Sequence, residues 1–562
     1  MKKNGLFLLL AAAGLLTSCS GKLGALSADN FNVTPNPLET EAGQVPATIN
    51  GMFPEKYMKK KAVVKVIPQL RSQTINGQKV VYGESATFQG EKVLGNDQTI
   101  SYIMGGRYTM KTNFQYTPEM QQSDLYLTFD AKVGNKTVKV PEVKVATGIL
   151  STSELYKRTL VSANAALAED AFQRISQEKQ EANVKFLIGQ AQLRKSELQN
   201  NSVQEFVRLL NEIAKDQEGK VIDNIEVSAY ASPDGGYDLN ERLAGRRQDV
   251  TTEYVEQQMK KTKNEAPIDT KYTAEDWEGF QQLVAASDIQ DKDVILRVLS
   301  MYQDPEEREQ QIKNISAAFR ELTDGILPQL RRARMIINYE VVGRDDEQIL
   351  AQMKADASKL SLEEILYAAT LYENDITSAE NAYKKAIQLY PKDARAYNNM
   401  ANLAYAKGNY NDAKQWLEKA LSVDKNQPEA NANLGLLALQ QGDMLNAETY
   451  IAKASQANGL GEVLGNLHLA QGKYAQAEQD FGYKATNSAA LAQILNKNYQ
   501  QAATTLKNVK NADAMTDYLR AILNARTGNT AAAAQSLQNA IAKDPSLAAY
   551  AQKDLEMTKV NK

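Results

Sequence analysis

The sequence predicts a multidomain protein: an N-terminal β-sandwich, a central α+β domain with a helical insertion, and a C-terminal all-α solenoid. Three observations predict it. The 562 residues, 43% hydrophobic and 24% charged, suffice for several ordinary cores. Hydrophobic spacing changes along the chain, from short alternating runs to a β-α-β-α order and then to continuous helical periodicity. In the last third, small and bulky residues recur 34 positions apart, the signature of a repeat array.

Composition narrows the function. Lys plus Arg (65) nearly cancels Asp plus Glu (68), so there is no basic field to hold nucleic acid. The chain has one cysteine, Cys19, and one histidine, His468. That excludes an intrachain disulfide, a structural zinc centre, a Cys–His nucleophile pair and any site needing several histidines. No catalytic residue, metal site or cofactor is expected. His468 falls in the first helix of a degenerate repeat and reads as an ordinary packed or solvent-facing residue. Gly459–Gly465 has the wrong spacing for a dinucleotide loop, and no strand precedes it.

The amino end pairs Lys2 and Lys3 with an apolar run from Gly5 to Leu16, too short to span a bilayer and typical of a secretory signal. Leu16-Thr17-Ser18-Cys19 resembles the lipobox of bacterial lipoproteins. The resemblance implies cleavage after residue 18, diacylation of Cys19 and a lipidated linker over 19–28. Ser20 in place of an acidic residue implies the outer membrane, and Gly21-Lys22-Leu23-Gly24 lacks an acidic surface-export cluster, so a periplasm-facing anchor is expected.

Residues 29–149 are expected to form the β-sandwich. Ala62–Ile67, Lys79–Tyr82, Ile100–Tyr116 and Leu125–Val133 read as strands, with turns at Tyr102–Arg107 and Val133–Thr137 where Gly and Asn tolerate positive φ. Lys59-Lys60-Lys61 reads as a solvated guard at a strand edge. Leu155, Leu160, Ala163 and Leu167, in an alanine-rich context, predict a helical connector over 150–181.

The central domain is expected over 182–343. Val184, Phe186 and Ile188 alternate as a strand, and Val203–Ala214 forms a helix buried through Phe206, Leu209, Leu210 and Ile213. Ile225–Tyr230 forms a second strand, and Asn240–Met259 a second helix. Tyr230-Ala231-Ser232-Pro233-Asp234-Gly235 and Asn240-Glu241-Arg242-Leu243-Ala244-Gly245-Arg246-Arg247 resemble the two signature segments of the OmpA-like domain. Arg331–Val341 resembles its closing strand, leaving about 262–327 as an insertion.

In that family an aspartate and an arginine grip diaminopimelate of peptidoglycan, so the resemblance marks Ser232, Asp234, Asn240 and Arg247 as candidate binding residues. A guanidinium takes the ligand carboxylate bidentately and a carboxylate takes its ammonium. Ser232 stands where the family has aspartate, which weakens that grip by about 1 kcal/mol. Asp234 either restores the missing charge or only shapes the turn; Arg247 either holds ligand or ties the turn to the second helix.

After a linker over 344–359, repeats are expected over 360–556. Gly408, Ala413, Leu417 and Ala420 return 34 residues later as Gly442, Ala447, Ile451 and Ala454. Further copies carry Ala379, Tyr383 and Ala386; Gly472, Ala477 and Phe481; Tyr499, Ala502 and Leu506; and Gly528, Ala533 and Leu537. This pattern resembles the tetratricopeptide repeat. The resemblance implies a concave groove lined by Asn398, Asn402 and Tyr405 in one repeat and by Ala432, Leu436 and Leu439 in the next, suited to an extended peptide. The lysine-bearing carboxylate clamp of some family members is missing.

The combination resembles Bacteroidota envelope lipoproteins. It implies a non-enzymatic scaffold tethered to the outer membrane by its lipid, with an unknown envelope protein as repeat partner and peptidoglycan as a second candidate ligand. A surface-exposed structural protein or antigen without wall binding is the alternative. A carboxylate-based wall or glycan enzyme ranks lower, since pairs such as Asp234 and Glu241 read as turn and helix-start chemistry.

Overall fold

The computed structural model describes residues 23–74, 77–289, 291–314, 320–372, 375–558 and 560. The signal and Cys19 lie outside the described residues. The chain divides into two compact units, Met1–Glu169 with Tyr372–Lys562, and Asp170–Leu371.

Among the described residues the first unit opens with twelve strands. Strands β1 (Phe31–Thr34), β3 (Gln44–Phe53) and β8 (Gly106–Gln115) form one antiparallel sheet in the order β1-β3-β8, with Ile49 opposite Met110. A larger sheet runs β10-β9-β4-β6-β7, built from β4 (Ala62–Thr74), β6 (Ala86–Gly90), β7 (Gln98–Ile100), β9 (Ser123–Val133) and β10 (Lys136–Lys139). Strand β5 (Gly77–Tyr82) pairs with β4, and β11 (Val143–Thr147) with β9. Strands β2 (Leu38–Glu39) and β12 (Ile149–Leu150) form a short parallel pair. The alternation read in the sequence puts Val45, Ala47, Ile49, Val64, Val66, Leu125 and Leu127 in one core shared by the sheets.

Five helix pairs of the same unit follow a leading helix, Ile376–Leu389: Arg395–Ala406 with Tyr410–Val423, Pro428–Gln441 with Met444–Ile451, Leu460–Ala470 with Tyr474–Phe481, Asn487–Leu495 with Tyr499–Asn508, and Ala514–Arg526 with Thr530–Lys543. The recurring glycines have a backbone cause. Gly408, Gly442, Gly472 and Gly528 sit between paired helices at φ of 75°, 75°, 76° and 81°, a left-handed conformation that costs a side-chain-bearing residue about 1 kcal/mol or more. The following residue caps the second helix: Asp443 and Asn529 accept from the amides of Asn446 and Ala532. In the fourth pair Lys497 occupies the left-handed position at φ 63°, ahead of the cap Asn498.

The second unit holds a four-stranded sheet in the order β13-β16-β14-β15, from β13 (Ile175–Lys185), β14 (Lys220–Tyr230), β15 (Ile268–Thr273) and β16 (Arg332–Val342). Strand β16 is antiparallel to both neighbours, and β14 is parallel to β15. The helix Asn201–Lys215 buries Val203, Phe206, Leu209, Leu210 and Ile213, and the helix Tyr237–Thr262 carries the chain from β14 to β15. A second core, including Phe280, Val284, Ile295, Leu299, Ile312, Leu322 and Leu327, belongs to the insertion.

Four boundaries differ from the sequence reading. The connector is helical only across 152–162; residues 163–173 carry no helix or strand. Strand β13 starts at Ile175 and ends before Ile188, which is exposed, because its polar first half is an edge strand held by an eleven-residue ladder to β16 and needs no apolar alternation. Residues 268–273 of the expected insertion are the sheet strand β15. The expected linker at 344–359 contains a helix, Asp346–Asp356, started by a reciprocal Asp345–Gln348 capping box.

Candidate functional site

The repeat helices place a row of amides on their inner face. Asn398, Asn399 and Asn433 are 0%, 2% and 3% exposed, a burial that asparagine tolerates only when its amide is fully hydrogen-bonded. The partner is the chain's own connector. Asn433 accepts from the Ala166 amide at 2.6 Å and donates to the Ala166 carbonyl at 2.9 Å. Asn399 treats Ala168 the same way, at 3.0 and 2.9 Å. Asn398 and Asn402 also donate to the Ala166 carbonyl, at 3.0 and 2.8 Å.

The contacts order themselves along the solenoid. Asn399 and Asn433 occupy the same position of consecutive repeats, and the peptide residues they hold are two apart. In the next repeat Glu462 accepts from both the main-chain and side-chain nitrogens of Asn164. Farther on, Asn487 donates to Ser162 and Ser488 to Thr159. At the last repeat Thr152 donates to Glu556 at 2.6 Å, beside the Arg526–Glu556 ion pair. At the opposite end Arg395 reaches the Glu169 carbonyl, while the Glu169 carboxylate accepts from Asn458 in the loop before the third helix pair. Residues 151–169 therefore run antiparallel to the repeats through the whole groove.

Burial follows the same logic. Tyr405 donates to the Leu160 carbonyl at 2.7 Å. Ala432, Leu436 and Leu439 share a core with Leu155, Tyr156, Leu160, Ala163 and Ala166 of the connector. Asn398, Asn402 and Tyr405 thus hydrogen-bond a peptide belonging to this chain, and Ala432, Leu436 and Leu439 lie in the same core as that peptide. Burial raises the pKa of Glu462, opposed by its bonds from Asn164. Sequence reasoning missed Asn399, Asn433 and Glu462; the recurrence of asparagine at 399 and 433, one repeat apart, was the available signal.

The second candidate site lies at the turn after β14. Arg247 is 1% exposed, and burial lowers its pKa to about 10, with Arg331 adding to the lowering and Asp234 opposing it. Its Nε donates to the Gln190 carbonyl at 3.0 Å and its two terminal nitrogens to the carbonyls of Tyr230 and Leu187 at 2.8 and 3.4 Å. The guanidinium also lies 5.1 Å from the Phe186 ring centroid. Asn240 is buried and donates to the Gly235 carbonyl at 2.8 Å.

Asp234 pairs with Arg331 at 2.9 Å, and Arg331 Nε donates to Ser232 at 3.1 Å while Ser232 donates to Asp234. Arg331 was legible only as the start of the closing strand. It supplies a cation beside both residues that the sequence offered for a ligand ammonium. The insertion packs against this turn: Pro233, Asp234, Trp277, Phe280 and Leu327 line a cavity of about 20 Å³, room for about one water.

His468 Nδ1 lies 2.5 Å from Asp480 in the third helix pair. Among the described residues no group of three His, Cys, Asp or Glu is placed to hold a metal, and no helix is long and apolar enough to cross a membrane.

The family model for the tetratricopeptide repeat matches residues 371–437. The C-terminal region is built of tetratricopeptide repeats. Solved structures similar to this chain include a tetratricopeptide repeat protein from Parabacteroides merdae ATCC 43184, 18% identical over 35% of this chain and 85% of that one, with a TM-score of 0.27. PilF of Pseudomonas aeruginosa is 19% identical over 33% of this chain and 92% of its own, with a TM-score of 0.26. Yeast Tom70 is 12% identical over 65% and 84%, with a TM-score of 0.24. No curated protein matches.

Proposed function

We propose that this chain is a non-enzymatic outer-membrane lipoprotein, anchored through a diacylated Cys19 and facing the periplasm, that works as an envelope scaffold for a protein partner. The observation that carries the scaffold reading is the groove laced by residues 151–169: the repeats join the strand-rich region to their own solenoid as one body. The lipobox-like Leu16-Thr17-Ser18-Cys19 supports the anchor.

The central domain, OmpA-like in its signature segments and its helix-between-strands order, serves in this reading as a structural body without a grip on peptidoglycan. Arg331 already neutralises Asp234, and the hydrogen bonds of Arg247 go to main-chain carbonyls. A diaminopimelate would have to displace both sets, with no new charge pair gained.

Sedimentation with isolated sacculi, combined with mass spectrometry of proteins crosslinked in intact cells, tests this. The chain is expected in the supernatant and crosslinked to envelope proteins. Pelleting with sacculi, or an absence of crosslinked protein partners, would overturn the reading.

A further inference from the structure

The groove reads its occupant mainly through the main chain. Asn433 and Asn399 each take both polar groups of one peptide residue, as a neighbouring β-strand would, and this mode of contact accepts many sequences. Side chains select at a few places. Ala166 and Ala168 are 3% and 2% exposed, so only small residues fit there. Glu462 receives the side-chain amide of Asn164, and Asn458 donates to the carboxylate of Glu169.

The occupant contributes little of its own. Residues 163–169 contain no helix or strand, and three of the buried side chains are single methyl groups, at Ala163, Ala166 and Ala168. Lifting this segment away leaves every sheet ladder and repeat helix intact. An empty groove exchanges the peptide partners of Asn398, Asn399 and Asn433 for water, and a second peptide that offers the same main-chain groups can take the segment's place.

We propose that the groove is a regulated peptide site, closed in cis by residues 163–169, whose partner is an extended segment of another protein. That segment carries small residues two apart where Ala166 and Ala168 now lie, a carboxamide two positions before the first, and an acidic residue directly after the second. The proposal rests on the scaffold reading and names the partner chemistry and regulation of its groove. The cis segment acts at an effective concentration of the order of millimolar, so a free peptide at micromolar concentration finds the wild-type groove shut.

The test is a titration of a labelled peptide spanning residues 158–171 into the full chain and into its Ala166→Pro variant, which lacks the amide that Asn433 accepts. The expected result is binding to the variant at least tenfold tighter than to wild type, and none for a peptide carrying the same proline. Equal affinities, no binding to a folded variant, or a variant that dimerises by exchanging connectors between two copies would overturn the proposal. Should the variant fail to fold, hydrogen exchange of the wild-type chain decides: Ala166 and Ala168 amides are expected to exchange at least tenfold faster than that of Leu436 within the repeats. Exchange at one common rate would overturn the proposal. Neither readout involves sacculi or crosslinked partners, so failure here leaves the scaffold reading standing, and failure there is seen separately.

Discussion

The repeat groove and the turn after β14 are both filled from within, by opposite means. In the groove, a peptide is held by its backbone, with asparagines matching its donors and acceptors. At the turn, one side chain, Arg331, supplies the charge and the fold encloses it. A main-chain occupant can be replaced by any peptide of similar shape. A side chain fixed to its own strand cannot be exchanged, so on the proposed reading the groove keeps a capacity for recognition and the turn does not.

The comparison can be broken most forcefully at Arg247. Arg247→Ala removes three charge-assisted hydrogen bonds and a buried side chain packed over Phe186, and is expected to destabilise the chain by about 3 kcal/mol in urea denaturation. A loss under 0.5 kcal/mol would return the arginine to the pool of free ligand-binding groups. In the groove, Asn433→Ala is expected to cost about 2 kcal/mol, since the Ala166 amide loses its acceptor while Asn398 and Asn402 still hold its carbonyl. A neutral effect there would mean that the connector is not bound as described.

A pH effect sharpens the anchored end of the connector. Asp554 is 3% exposed and accepts from Tyr518 at 2.6 Å; burial is the main cause raising its pKa to about 6. Because the folded value lies above the unfolded one, its protonation adds stability at low pH that is lost as pH rises through about 6. The melting temperature is expected to climb as pH falls from 7.5 toward 5, and Asp554→Asn to flatten that part of the profile. The smallest effect is expected at Lys497, the left-handed position that four sister turns give to glycine; Lys497→Gly should stabilise by about 0.5 kcal/mol, read from the urea midpoint.

Much of this architecture was legible because it follows from local chemistry. Glycines 408, 442, 472 and 528 mark turns that need positive φ, and alternation in 62–67 and 125–133 marks strands with one buried face. The groove positions Asn398, Asn402 and Tyr405 followed from repeat register. Their occupant did not. Ala163–Glu169 is rich in alanine, the strongest helix former, and its sequence argues for helix; asparagines more than 230 residues away supply main-chain hydrogen bonds that outweigh that preference. Arg331 was hidden for a related reason. Its number placed it at the head of a strand, and only the sheet order, with β16 beside β14, brings it to Asp234.

The central claim is that the connector lies in the groove, and amide hydrogen exchange on the intact protein tests it most directly. Asn164, Ala166 and Ala168 donate to Glu462, Asn433 and Asn399, whereas Ala165 and Leu167 have no acceptor among the described residues. Protection alternating along 164–168, slow at even positions and fast at odd ones, is the expected result. Uniformly fast exchange across these five amides would contradict it and make 163–169 a solvated linker.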